Sequence, residues 1–404
     1  MRLLILSNSD LTKSFVARKH YIIKHLSKYF KIIIFNVRLY WKEKKEEYKN
    51  APACESDTLL KNAKMITGYP IRVYDIYLSE ALNLLPNIAL LRKIIKNFNI
   101  RAIINFSHIL LGAFSSLWRE NDIPLIFDFL DYIPGQIGFS SQSKLPMKTI
   151  SRKIATKLLL DNIRKSDLVV AVSEALCKYA QLAGAKNVYL VPNGVDLNSI
   201  YPVNKLKIRK KLGLREIDFV IGYIGGVHWL LNLEEIFKVI KYKPVINGKK
   251  VKLLIIGSGS HLPYFFNLAK AMGIKDKVIF LGRVSKKKLN EYISAIDVGL
   301  IPFKMNDVAF FSCPLKFYEY LACGKAVITT TIPIIKKMVI EKRILKNLVF
   351  FADDKDEFEE AISRIISDGE RPSVREIRSL LKDYDWRNLT SKYLDIINAV
   401  IRRG

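Results

Sequence analysis

Pro314-Leu315-Lys316-Phe317-Tyr318-Glu319-Tyr320-Leu321-Ala322-Cys323-Gly324-Lys325-Ala326-Val327-Ile328 is the stretch on which the reading of this chain turns. Proline in the first turn and glycine past the end bracket a short helix, and the apolar run Ala326 to Thr329 makes a buried strand after it. A helix that begins in an open loop presents N–H groups without intrahelical acceptors and the positive end of its dipole, both suited to a phosphate. Lys316 in the first turn carries the wrong charge for that end, which points to an anion bound beside it. Glu319, three residues on, shares its face, where a carboxylate can accept hydrogen bonds from ribose hydroxyls. Phosphate and ribose together make a nucleotide. The same residues also fit a surface helix packed through Leu315, Tyr318 and Leu321, with Lys316 and Glu319 merely solvated.

Strand-like runs alternate with helical ones throughout. In the first half they are Arg2–Ser7, Ile32–Phe35, Ala102–Asn105, Pro124–Phe127, Leu168–Val172 and Val188–Val191. Helices are expected near Lys13–Tyr29 and over Ser79–Phe98, the latter interrupted at Pro86. Pro192-Asn193-Gly194-Val195-Asp196 makes a turn, and a second series follows: Val220–Ile224, Lys252–Ile256, Val278–Leu281, Val298–Ile301, Val327–Thr329 and Leu348–Phe351. Such alternation predicts an α/β protein with two Rossmann-like, doubly wound parallel-sheet domains, residues 1–198 and 199–384. Ligands of open parallel sheets lie beyond the carboxyl ends of the strands.

At 404 residues the chain exceeds what one core usually fills, and a 50% apolar content is too high for a disordered protein. Cys54, Cys177, Cys313 and Cys323 are scattered without metal-ligand spacing, which suits reduced thiols in the cytosol. Met1–Leu6 reads as a short strand running into polar residues, not as a signal peptide. Ala102–Trp118, broken by Asn105, Ser107 and His108, is too short and polar to span a membrane. A cytoplasmic protein, soluble or peripheral at the membrane face, is expected. The net charge of +28 asks for a polyanionic neighbour, unless it only reflects a lysine-rich genome. Between Ser140 and Ser166 lie seven cations against the single acid Asp161. On a helix there, Met147, Ile150, Ile154 and Leu158 share one face while Lys148, Arg152, Lys153 and Lys157 fall away from it. That suits a helix lying on an anionic bilayer, or a core-facing helix with a basic outside. No zinc-finger or RNP-type motif accompanies the charge, so nucleic acid is not an expected partner.

Pro-Leu-Lys-x-x-Glu-Tyr-Leu-Ala-x-Gly-Lys-x-Val-Ile resembles the donor-binding segment of GT-B glycosyltransferases of the retaining family 4 type. Ser166-Asp167-Leu168-Val169-Val170-Ala171-Val172-Ser173-Glu174 and Val191-Pro192-Asn193-Gly194-Val195-Asp196 are similar to further family phrases, so that the likeness covers about residues 100–330. It implies two domains facing a cleft, with a C-terminal helix, 385–404, crossing back to the first. By the same resemblance Glu319 holds the donor ribose, and the helix start at Pro314, Leu315 and Lys316 meets the diphosphate through its free backbone amides. The Gly225-Gly226 turn suits close approach to the phosphates or simply a tight turn, His228 suits a hydrogen-bond donor to phosphate or packing beside Trp229, and the loop containing Val284 resembles the family loop that meets the base. The chain departs from the family in four places. Phe311 stands where many members have a second glutamate. His228 and Trp229 replace an arginine and a lysine. The loop Asn8-Ser9-Asp10-Leu11-Thr12 has no glycine. Asp128 occupies the place read as that of a family histidine.

Asp128 is accordingly the expected catalytic residue, with Asp131 and His108 as acceptor-side candidates; helix capping for the aspartates and core packing for His108 are the plainer readings. No pair of carboxylates suits a two-step covalent mechanism. The implied activity is metal-independent, retaining transfer from a nucleotide sugar, UDP- or GDP-linked, to a lipid-linked or phosphorylated glycan precursor. No cofactor beyond that donor is implied. A GT-B nucleotide-sugar epimerase and a basic scaffold without chemistry are the alternatives, the latter kept open by Phe311 and Asp128.

Overall fold

The computed structural model describes residues 1–12, 14, 16–36, 59–69, 81–120, 122–140, 145–367 and 371–402. Two compact units divide the chain, one formed by residues 1–193 with 386–404 and the other by 194–385. Each is an open parallel sheet with helical connections, so the α/β, doubly wound reading holds for both.

The first unit carries β1 (Arg2–Ser7), β2 (Lys31–Asn36), β3 (Ala63–Thr67), β4 (Ala102–Phe106), β5 (Leu125–Phe129), β6 (Leu168–Ala171) and β7 (Val188–Leu190). Their order across the sheet is β3-β2-β1-β4-β5-β6-β7, and every pairing is parallel. Leu3 to Leu6 and all of β4 and β5 are buried, as central strands covered on both faces must be. The order reverses between β1 and β4, which makes their carboxyl ends the switch point of this sheet. Among the helices of this unit are α1 (Arg18–Leu26), α2 (Leu84–Phe98), α3 (Leu145–Lys165) and α4 (Glu174–Leu182). Pro86 does not interrupt α2 but sits in its first turn, where its missing N–H costs no helical hydrogen bond. Residues 79 and 80 of the expected helix, and Cys54, lie outside the described residues. Ser173 caps α4, its Oγ accepting from the Leu176 N–H at 3.3 Å. Strand β3, with its weak pattern Ala-Lys-Met-Ile-Thr, escaped the sequence reading.

In the second unit the strands are β8 (Asp218–Ile224), β9 (Val245–Ile246), β10 (Lys249–Ile256), β11 (Val278–Gly282), β12 (Val298–Ile301), β13 (Ala326–Thr329) and β14 (Val349–Phe351). The order is β11-β10-β8-β12-β13-β14, with the short β9 antiparallel to β10. Here the reversal falls between β8 and β12. Helix α5 (Leu315–Ala322) connects β12 to β13. Pro314 is its N-cap, one place earlier than the first-turn position expected, and Gly324, at φ 69°, follows its end. Tyr320, fully buried, ties α5 to β8: its hydroxyl accepts from the Ile224 N–H at 2.9 Å and donates to the Gly222 carbonyl at 3.2 Å.

Helix α6 (Trp386–Ile401) belongs to the first unit. Trp386 stacks on Tyr21 of α1 with ring centroids 5.3 Å apart, and Tyr393 lies under the Arg18 guanidinium.

Candidate functional site

Helix α5 brings Lys316 and Glu319 to the switch point of the second sheet. The Lys316 Nζ lies 4.2 Å from the Tyr223 ring centroid and 5.2 Å from that of Phe303, and donates to the Tyr223 hydroxyl at 3.1 Å. Tyr223 is the penultimate residue of β8 and Phe303 follows β12, so the ammonium stands over the carboxyl ends of the two strands that flank the reversal. Gly225, at φ 151°, makes room for it: a Cβ there would come within 2.8 Å of Nζ. Gly257, at φ 140°, lets the β10 loop approach so closely that a Cβ would strike the Gly225 carbonyl. Burial lowers the Lys316 amine to about 7, against the nearby Glu319 carboxylate, which raises it. A lysine poised between its charged and neutral forms thus sits beside the helix start, where Leu315 and Lys316 offer N–H groups without intrahelical acceptors.

Glu319 is not merely solvated. Its Oε1 is 3.1 Å from the Nζ of Lys286, both side chains being less than one-fifth exposed. Lys286 opens the turn Lys286–Lys288 beyond β11, and Val284, half-buried, lies just before it. Gly226 and His228 follow β8, both half-buried. Burial first, then the charges of Lys316 and His261, push the His228 imidazole down to about 4, so it is neutral at pH 7 and one ring nitrogen carries a donor. Phe311 makes an edge contact with Phe310 in place of any charge. Pro314, Leu315, Lys316, Glu319, Gly225, Gly226, His228 and Val284 are therefore gathered round the carboxyl ends of one sheet.

In the first unit the outcome is different. Asp128 lies in β5, fully buried, and is gripped by Arg18 of α1: Nε to Oδ1 at 3.1 Å, Nη2 to Oδ2 at 3.1 Å. The same guanidinium donates to the Val191 carbonyl at 2.7 Å and the Pro192 carbonyl at 3.0 Å. Asp128 is thus an internal anchor, because a closed ion pair in a central strand offers no carboxylate to a ligand. Asp131, two residues past the strand, is exposed. His108 is 3% exposed, and its Nδ1 is sealed without a hydrogen-bond partner. Burial and the charge of Lys19 lower it to about 3. Its burial matches the plainer reading of a packed core histidine. Lys19 donates to Asn8 and, at 3.0 Å, to the Ser9 Oγ, which ties α1 to the glycine-free loop after β1.

Sequence reasoning missed Arg18, Lys19, Tyr223 and Lys286. The signal for the first two was present, since two cations opening a helix are as misplaced as Lys316. Lys286 was hidden in a run of three lysines that reads as a solvated face.

Residues 37–199 match the model of Glycosyltransferase Family 4, and residues 204–379 match that of Glycosyl transferases group 1. With the two parallel sheets, these matches place the chain among the GT-B glycosyltransferases as a family 4-like protein. It is 26% identical over 279 residues to TuaH of Bacillus subtilis, which is named for glycosyl transfer in teichuronic acid biosynthesis; the match covers 68% of this chain and 66% of TuaH. The next two curated relatives are matched over 53% and 44% of their own lengths. Among solved structures, sucrose-phosphate synthase of Thermosynechococcus elongatus superposes with a TM-score of 0.73 at 16% identity, covering 100% of both chains. Anabaena HepE in complex with UDP gives 0.68 at 15% identity over 99% of this chain and 100% of HepE. Among the described residues no helix is long and apolar enough to cross a membrane.

Proposed function

We propose that this protein transfers a sugar from a UDP- or GDP-linked donor to a glycan precursor, with retention of anomeric configuration and without a metal ion. The observation that carries the reading is the placement of Lys316 and Glu319 on one face of α5 at the β8/β12 reversal. The donor diphosphate lies against the amides of Leu315 and Lys316 and the Gly225-Gly226 turn, with His228 as a neutral donor. The ribose hydroxyls meet Glu319, and the base follows the backbone at Val284. HepE supports this choice, because its structures hold UDP and UDP-glucose.

In the reaction the acceptor hydroxyl attacks the anomeric carbon from the face of the departing diphosphate. The bond from that carbon to the phosphate oxygen breaks, and the hydroxyl proton passes to a phosphate oxygen, so no protein base is required. On the acceptor side Asp131, exposed past the end of β5 where Asp128 is enclosed, is the carboxylate suited to hold an acceptor hydroxyl.

The acceptor class is supported by α3. Ala155, Leu159 and Ile163 face the core, whereas Ile150 and Ile154, whose face suited either a bilayer or the core, are 53% and 56% exposed beside the exposed Arg152, Lys153 and Lys157. An apolar pair ringed by cations suits an anionic bilayer and a lipid-linked acceptor. A relative named alpha-monoglucosyldiacylglycerol synthase, of Streptococcus pneumoniae, 24% identical over 246 residues, points the same way.

The test is nucleotide release from UDP-glucose, UDP-galactose, UDP-N-acetylglucosamine and GDP-mannose, with and without a bacterial lipid extract. One donor is expected to be consumed slowly alone and faster with extract. No release from any of them would sink the enzymatic reading.

A further inference from the structure

The ion pair between Lys286 and Glu319 joins two segments that sequence places 33 residues apart, a turn beyond β11 and the middle of α5. Both partners are mostly enclosed, with 19% and 17% of their side chains exposed. A pair so enclosed is screened less than a surface pair and holds a flexible glutamate in one orientation. Lys316 does not compete for the carboxylate through a hydrogen bond, because its ammonium is turned to Tyr223. A carboxylate offers about four lone-pair positions on two oxygens, so one ammonium at Oε1 leaves acceptor sites for a pair of hydroxyls.

We propose that Lys286 is a positioning residue: it fixes Glu319 so that the carboxylate reads the vicinal hydroxyls of the donor ribose, and it thereby sets the preference for ribonucleotides. This rests on the donor site described under Proposed function. Lys286 touches the carboxylate and not the reacting atoms. Its loss therefore lowers ribose discrimination without removing the phosphate contacts at the start of α5.

The experiment is titration calorimetry of the full chain with UDP, GDP and ADP, each beside its 2′,3′-dideoxy analogue. The readout is the affinity ratio of ribo to dideoxy ligand for the nucleotide that binds, a quantity that general loosening of the fold would not change. Lys286→Met is expected to bring the ratio several-fold closer to one, and Lys286→Arg to restore it. An unchanged ratio in Lys286→Met, tighter ribonucleotide binding there, or a Lys286→Arg ratio that stays with Lys286→Met overturns the proposal. Glu319→Ala separates the two levels. If it abolishes the ratio while Lys286→Met does not, only the role of Lys286 falls. If no nucleotide binds the wild type, or Glu319→Ala keeps the full ratio, the donor reading falls and this role with it.

Discussion

Lys316 is held by two aromatic faces, a tyrosine hydroxyl and a glycine that leaves it room; those contacts favour the ammonium, but burial lowers the amine to about 7, so both forms are populated near neutral pH. A diphosphate arriving beside it favours the ammonium, so binding above pH 7 takes up a proton. The sign follows directly. With the amine of the ligand-free protein at about 7, affinity for a nucleotide sugar is flat below that pH and falls above it, by at most about tenfold per pH unit. Calorimetry with the donor in buffers of different ionisation heat will measure the proton uptake, and Lys316→Arg should remove both the uptake and the pH dependence. His228, already neutral at about 4, contributes nothing in this range. At this scale the sequence revealed the misplaced charge of Lys316 but not what answers it, because Tyr223 and Phe303 lie 93 and 13 residues away along the chain and only the sheet brings them near. At Asp128 the resemblance to a family strand end carried no sign of Arg18, because a strand buried throughout does not say which polar side chain has an internal partner 110 residues away.

Helix α1 and strand β5 are locked by the Arg18–Asp128 pair, 3% and 0% exposed. Removing one partner strands a charge in the interior, so Arg18→Met should cost about 3–5 kcal/mol. Chemical denaturation of the first unit will measure this, and a loss below about 1 kcal/mol would show the pair to be energetically idle. Helix α3 makes the opposite kind of statement, on the surface. Ile150→Asp with Ile154→Asp should abolish sedimentation with phosphatidylglycerol vesicles while leaving the circular dichroism spectrum unchanged, since neither side chain fills the core. Binding retained by that variant would remove α3 from the membrane contact. Most elements were legible because parallel strands buried on both faces read as unbroken apolar runs. For helix α3 the apolar stripe Met147, Ile150, Ile154 and Leu158 left a bilayer and a core reading open; the inward side is Ala155, Leu159 and Ile163, and a small alanine among bulkier isoleucines gives no sign of it. Edge elements such as β3 and β9 were lost, because a half-covered strand needs fewer apolar residues.

For the whole molecule, two doubly wound units and a positive charge of +28 set what the fold can serve. The reversal of strand order in each sheet defines where a ligand belongs, and the second unit meets that rule with residues suited to phosphate and ribose. Ligand binding to the folded state alone raises its stability by mass action, about 2.7 kcal/mol at a hundredfold excess over Kd. The most direct test of the donor site is therefore the thermal unfolding midpoint of wild type and Glu319→Ala, each with millimolar UDP, GDP, ADP or CMP. The midpoint of the wild type should rise by several degrees with one nucleoside diphosphate, whereas Glu319→Ala, folded and nearly as stable alone, should show little or none of that rise. No shift with any nucleotide, or an equal shift in both proteins, would contradict the assignment of α5 as the donor-binding helix.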